Sequence, residues 1–136
     1  MNKQFLDTIE YSISDKNVLL RTDYNVPIKD SVIINDDRIK ASLPTIDLLW
    51  NKGVKNIIIV THLGRPCGKR IPGLSLGPIK NYLQQRYTDH DIYLTDLYQS
   101  QTVLSNKRNS IILIENIWFY PEEERKSSQI NIELFE

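Results

Sequence analysis

A chain of 136 residues, 40% hydrophobic and 25% charged, has the size and composition of one globular domain with its own core. Seventeen basic residues balance seventeen acidic ones, which excludes a global electrostatic pull toward nucleic acid or an anionic membrane and makes any positive site a local one. The single cysteine, Cys67, excludes an internal disulfide and a cysteine-built metal centre.

Met1–Glu10 lacks the cationic stretch and apolar run of a signal peptide, and the longest apolar runs, such as Ile57–Val60 and Ile111–Ile114, are too short to span a bilayer. A cytoplasmic protein is the expectation. The first β-rich run is Asn17–Thr22. Asp37–Asn51 follows, with Ile39, Leu43, Ile46, Leu49 and Trp50 at helical spacing, and Gly53 stands where a left-handed C-cap belongs. Pro44 lies inside this segment, which predicts that the helix begins near it or kinks there. Asn56–Thr61 reads as a second strand. Ser75–Tyr87 reads as a second helix, with Ser75 a candidate N-cap and Leu76, Ile79 and Leu83 an apolar stripe. Ile92–Thr95 is a weaker strand run and Ser110–Glu115 a strong one. Beyond Pro121 the chain turns acidic at Glu122, Glu123 and Glu124, and Gln129–Glu136 reads as the first turns of a helix. The strand runs are rich in Val, Ile and Leu without strict alternation, as in strands buried on both faces of a parallel sheet. Strands alternating with helices predict an α/β fold with right-handed crossovers and a single domain.

In such sheets ligands lie beyond the carboxyl ends of the strands. The first strand runs into Arg21-Thr22-Asp23-Tyr24-Asn25-Val26-Pro27, the second into Thr61-His62-Leu63-Gly64-Arg65-Pro66, and the third strong one into Glu115-Asn116-Ile117-Trp118-Phe119-Tyr120-Pro121. Arg38 opens the first helix. Arg21, Asp23, Asn25, Arg38, His62 and Arg65 are thereby expected on one sheet edge. An arginine fork matches phosphate and carboxylate, so the cluster suits a small phosphorylated acid. Each residue also has a purely structural use: Arg21 with Asp23 as an ion pair at a strand end, His62 as a structural histidine, Arg38 and Arg65 as solvated charges, Asn25 as a turn former. Gly64, Gly68 and Lys69 fall short of a P-loop, having three residues between the glycines instead of four and Arg70 after the lysine. No strand is followed by G-x-G-x-x-G, and His62 and His90 lack the companions of a zinc site.

Read together, these segments resemble the phosphoglycerate kinase family. Arg21–Pro27 is similar to its R-V-D-F/Y-N-V-P signature, and Asp36-Asp37-Arg38-Ile39, Leu43-Pro44-Thr45-Ile46, His62–Pro66 and Ser75-Leu76-Gly77-Pro78 follow in family order. Glu115-Asn116-Ile117 and Phe119–Glu124 extend the resemblance, which covers residues 15 to 136. It implies a Rossmann-like parallel sheet with helices on both faces, residues 1–136 being part of an N-terminal domain that binds 3-phosphoglycerate or 1,3-bisphosphoglycerate. By matching positions, Asp23 and Asn25 hold the glycerate hydroxyl and carboxylate end, Arg21, His62 and Arg65 belong to a basic patch, and Arg38 is the catalytic residue facing the transferring phosphoryl group. The resemblance places the magnesium ADP or ATP on a second domain whose glycine-rich motifs have no counterpart here, so this chain is expected to hold no metal or nucleotide. Trp118 stands where the family's Glu-Asn-Val/Ile-Arg motif has an arginine, and either reaches the site or packs in the core or an interface. Two functions follow as expectations. One is the substrate-binding half of a glycolytic phosphotransferase, with a separate nucleotide-binding chain as its partner. The other is a non-catalytic relative or gene remnant that binds a phosphorylated metabolite or a protein.

Overall fold

The computed structural model describes residues 12–121. Four strands form one parallel sheet: β1 (Asn17–Arg21), β4 (Asn56–Val60), β6 (Ser110–Ile114) and β5 (Asp91–Thr95), in that spatial order. β2 (Ile28–Lys29) and β3 (Val32–Ile33) make a separate antiparallel hairpin between β1 and the first helix. The helices are α1 (Asp37–Asn51), α2 (Gly77–Arg86) and α3 (Ser100–Ser105). The α/β expectation holds, and the weak fourth run is a strand at one edge of the sheet. Residues Glu122–Glu124 and the helix start expected at Gln129–Glu136 lie outside the described residues. Among the described residues no helix is long and apolar enough to cross a membrane.

The two central strands explain why their sequences carry no alternation. All five residues of β4, and all five of β6, are buried. Ile57, Ile59, Ile111 and Leu113 pack against Ile39, Ile46 and Leu49 of α1 and Ile79 and Leu83 of α2. Ile58, Val60, Ile112 and Ile114 point the other way, onto Leu97, Leu104, Ile117 and Phe119. Each fully buried aliphatic side chain contributes about 1.5–3 kcal/mol of transfer free energy. The split into two layers follows from handedness. The chain moves across the sheet in one direction from β1 to β4 and on to β5, which puts α1 and α2 on one face. It then returns from β5 to β6, so a right-handed crossover puts α3 on the other.

Pro44 neither starts nor ends α1, which runs seven residues ahead of it and seven beyond. The missing bond would have gone to the Lys40 carbonyl. Both residues lie on the exposed side of the helix, where water replaces the lost donor. Gly53 does close α1 in the left-handed region at φ 77°, with its N–H donating to Trp50 O at 3.0 Å and that of Val54 to Leu49 O at 3.4 Å.

Two buried asparagines lock the ends of the sheet. Asn56 at the amino end donates to Asn17 Oδ1 at 3.0 Å and Lys107 O at 2.8 Å, and accepts from Ser110 N at 3.1 Å. Asn116 does the same work at the carboxyl end, where the site lies.

Candidate functional site

Along Arg21–Pro27 the side chains alternate. Tyr24 and Val26 are buried, and Asp23 and Asn25 are exposed. Tyr24 plugs the core: its N–H donates to Thr61 Oγ1 at 3.0 Å and its hydroxyl lies 2.6 Å from Ser42 Oγ on α1. Thr61 in turn donates to Thr22 O at 2.9 Å, tying the loop after β1 to the loop after β4. With Tyr24 anchored, the extended chain presents its two neighbours at the carboxyl edge of the sheet.

There they meet Arg38 from the first turn of α1. Arg38 Nη1 donates to Asp23 Oδ1 at 3.1 Å and to Asn25 O at 2.9 Å. Asp23 Oδ1 also accepts from Asn25 N at 3.2 Å, closing an Asx turn. Asn25 Oδ1 accepts from Gly64 N at 3.0 Å, which draws the loop after β4 into the same cluster. Gly64 sits at φ 63°, a conformation that other residues adopt at a cost of about 1–2 kcal/mol. Both bonds of the Arg38 guanidinium use Nη1, so Nε and Nη2 make no hydrogen bond among the described residues on a side chain that is 54% exposed, which leaves them available to an anion. Arg21, Asp23 and Arg38 also line a cleft of about 270 Å³ with Leu20, Thr22, Ala41, Ser42 and Thr45.

His62 is within electrostatic reach of Asp23, Arg21 and Arg38. Partial burial pushes its imidazole below the ordinary range, Asp23 opposes that, and Arg21 and Arg38 reinforce it. Its ring stacks on Trp118, with centroids 3.9 Å apart and planes at 16°. Asn116 fixes this pairing. Its Oδ1 accepts from Leu63 N at 3.3 Å and Trp118 N at 3.2 Å, and its Nδ2 donates to Leu63 O at 2.7 Å and Leu74 O at 2.9 Å. Ile117 N donates to Thr61 O at 3.0 Å, and Gly68 N to Trp118 O at 3.2 Å. Ile117 and Phe119 turn into the core on either side, leaving the half-buried Trp118 facing His62.

The structure therefore brings Asp23, Asn25, Arg38 and His62 together, with Arg21 beside them. Arg65 lies in the same loop, exposed, and makes no ion pair with the described residues. Asp23 pairs with Arg38, fifteen positions away, at 3.1 Å. Sequence reasoning missed Thr61 and Glu115 as site supports. Glu115 accepts from Leu76 N at 2.8 Å and from the Ser75 hydroxyl at 2.7 Å, fastening the start of α2 to the end of β6. Among the described residues no three His, Cys, Asp or Glu side chains gather as a candidate metal site.

The phosphoglycerate kinase family profile matches residues 7–136. The chain belongs to the phosphoglycerate kinase family. It is 37% identical over 129 residues to the phosphoglycerate kinase of Aplysia californica, covering 93% of this chain and 31% of that one. Against the phosphoglycerate kinase of Borreliella burgdorferi it is 39% identical over 128 residues, covering 92% of this chain and 32% of the relative. The solved phosphoglycerate kinase from Coxiella burnetii superposes with a TM-score of 0.69 at 30% identity, over 92% of this chain and 30% of that one. That from Pyrococcus horikoshii gives 0.69 at 29% identity, over 91% and 30%. The chain thus spans about a third of the length of the relatives it matches.

Proposed function

We propose that this chain forms part of the substrate-binding domain of a phosphoglycerate kinase-type phosphotransferase and holds 3-phosphoglycerate or 1,3-bisphosphoglycerate at the carboxyl edge of its sheet. The observation that carries this reading is the exposed Arg38 guanidinium, held by Asp23 and by the Asn25 carbonyl through Nη1 while Nε and Nη2 make no bond among the described residues. In this reading Asp23 and Asn25 take the hydroxyl and carboxylate end of the glycerate, and Arg21, His62 and Arg65 add positive potential around its phosphate. Arg38 is the catalytic residue, stabilising charge on the phosphoryl group as it moves between the acyl oxygen and ADP. The magnesium ADP or ATP belongs to a nucleotide-binding domain outside residues 1–136, whether on the same chain or on a separate nucleotide-binding chain. The compartment is the cytoplasm.

A coupled assay tests the division of labour. Residues 1–136 alone should make no ATP from 1,3-bisphosphoglycerate and magnesium ADP, because they carry no counterpart of the family's glycine-rich nucleotide motifs and so cannot hold the two substrates in line. They should nonetheless bind 3-phosphoglycerate weakly, near the millimolar range, and Arg38→Ala should weaken that binding about ten-fold or more. Turnover by protein free of host kinase, or binding indifferent to Arg38, would overturn the proposal.

One observation favours a second reading, a relative that binds a phosphorylated metabolite without turning it over. Trp118 covers a face of His62 at the position where the family motif carries an arginine. Mixing the chain with the nucleotide-binding half of the Borreliella burgdorferi relative separates the two readings: ATP formation supports the split enzyme, and its absence in a mixture that still binds 3-phosphoglycerate supports the non-catalytic relative.

A further inference from the structure

Asp36 breaks a local rule at the start of the helix that carries Arg38. It stands at the N-cap of α1, where an aspartate ordinarily accepts a hydrogen bond from an N–H of the first turn. Its side chain makes no such bond among the described residues. The carboxylate turns to α2 instead. Tyr82 donates its hydroxyl to Asp36 Oδ2 at 2.8 Å, and Lys40 Nζ lies 3.4 Å from Oδ1. The first N–H of the helix, that of Asp37, is left to Asn35 Oδ1 at 2.9 Å. The Tyr82 ring packs against the core shared by α1 and α2, so its hydroxyl is presented from a fixed base. Glu115, from the end of β6, fastens the start of α2 in turn. Contacts thus run from the loop after β6, through α2, to the residue two positions before Arg38. On the sheet side Tyr24 reaches the same turn. Ser42 gives its own hydrogen to Ile39 O at 2.7 Å, so the Tyr24 hydroxyl is the donor in its 2.6 Å bond to Ser42 Oγ.

We propose that Tyr82 is a positioning residue for Arg38: by drawing the Asp36 carboxylate onto α2, its hydroxyl sets where the first turn of α1 stands, and so where the Arg38 guanidinium meets the phosphoryl group. The proposal rests on the reading of Arg38 given above. The bonds from Arg38 Nη1 to Asp23 Oδ1 and to Asn25 O restrain only the far end of a long side chain. Its near end moves with the backbone of the first turn, and helix ends fray most readily where the orphan N–H groups lack a cap. Tyr24 and Ser42 hold that turn from the sheet side, and Tyr82 holds it from α2. Removing the Tyr82 hydroxyl keeps the packing of the ring and frees the Asp36 carboxylate to swing back over the helix N-terminus. The first turn then relaxes toward the ordinary capped form, and the guanidinium moves with it. A displacement of about 1 Å at a reacting centre can lower a rate about a hundred-fold, so a single remote hydroxyl has leverage here.

Two NMR measurements on the 136-residue chain test the proposal. The first needs no ligand. The Arg38 Nε–H resonance should move in Tyr82→Phe while the amide signals of β4 and β6 stay in place. The second is a titration with 3-phosphoglycerate of the wild type, Tyr82→Phe, Arg38→Ala and the double variant. Tyr82→Phe should weaken binding about three- to ten-fold, as expected for one net hydrogen bond. It should add nothing in the Arg38→Ala background, because the hydroxyl acts through that side chain. An Arg38 resonance that stays put in a folded Tyr82→Phe would refute the proposal. An equal loss of affinity in both backgrounds would refute it too, since the hydroxyl would then be a general support of the fold. If the wild type binds no 3-phosphoglycerate, the reading of the site falls separately, and the Arg38 resonance still decides whether Tyr82 places that side chain. Asp36→Ala cuts the same bond from its other end and should give the same two results, which keeps the test open if Tyr82→Phe does not fold.

Discussion

Replacing Trp118 by arginine tests the proposal that this residue stands at the edge of the phosphate site, where the resemblance puts an arginine. In the wild type the indole lies flat on His62 at 3.9 Å, so a planar uncharged surface covers one face of an imidazole that is within electrostatic reach of Arg21 and Arg38. The backbone of residue 118 is held from both sides, by Asn116 Oδ1 on its N–H and by Gly68 N–H on its carbonyl, so a new side chain should leave from the same place. A guanidinium there gains a charge-assisted bond to a phosphate, about 1.5–3 kcal/mol, or roughly ten- to a hundred-fold in affinity for 3-phosphoglycerate. Loss of the ring stack should lower stability by about 0.5–1.5 kcal/mol, which the Ile117 and Phe119 anchors can absorb. Calorimetric titration of both proteins at low and high salt is the assay. The gain should shrink as salt is raised, because the added charge acts from a solvated edge. Equal affinities in two equally folded proteins would refute the reasoning and place the phosphate away from residue 118.

Three further outcomes are expected. The His62 imidazole is held low in the folded state, so the native protein binds fewer protons than the unfolded chain. Stability should therefore be complete above the unfolded value of about 6.5 and decline as pH falls through it, a slope that His62→Gln should remove in melts taken across that range. Asn116→Ala strips the partners from Leu63 N, Leu63 O, Leu74 O and Trp118 N, and should cost about 2–4 kcal/mol in urea unfolding while releasing the His62–Trp118 stack. Gly64→Ala, at φ 63° and with a Cβ that would lie 2.7 Å from Leu74 Cδ2, should cost about 1–2 kcal/mol and weaken 3-phosphoglycerate binding by disturbing the bond to Asn25, as the same titration would show.

Much of the fold was legible because its determinants are local and apolar. Ile57–Val60 and Ile111–Ile114 could only be strands buried on both faces, and Gly53 marked the end of α1 by its freedom to adopt positive φ. Other features depend on partners distant in sequence. Pro44 sits inside α1 because it falls on the wet side, which periodicity alone did not settle. Ser75 does accept from Gly77 N at 3.3 Å, but the start of α2 is fastened chiefly by the Glu115 carboxylate from forty residues away. The β2–β3 hairpin, with strands of two residues, and the six-residue α3 are too short to carry a period. For the site, the residue types and their order after each strand were readable. The joining of Asp23 to Arg38, of Asn25 to Gly64 and of His62 to Trp118 was not, since it arises from Tyr24, Thr61 and Asn116 locking three loops together in the interior.

The most direct test of the central claim is an amide-resolved NMR titration of the chain with 3-phosphoglycerate. Shifts should be confined to the loops after β1, β4 and β6 and the first turn of α1, centred on Asp23, Asn25, Arg38, His62 and Gly64, and should need about ten-fold more ligand or beyond in Arg38→Ala. Silent loops up to tens of millimolar ligand, or shifts centred on the cleft around Trp50, Arg86 and His90, would contradict it.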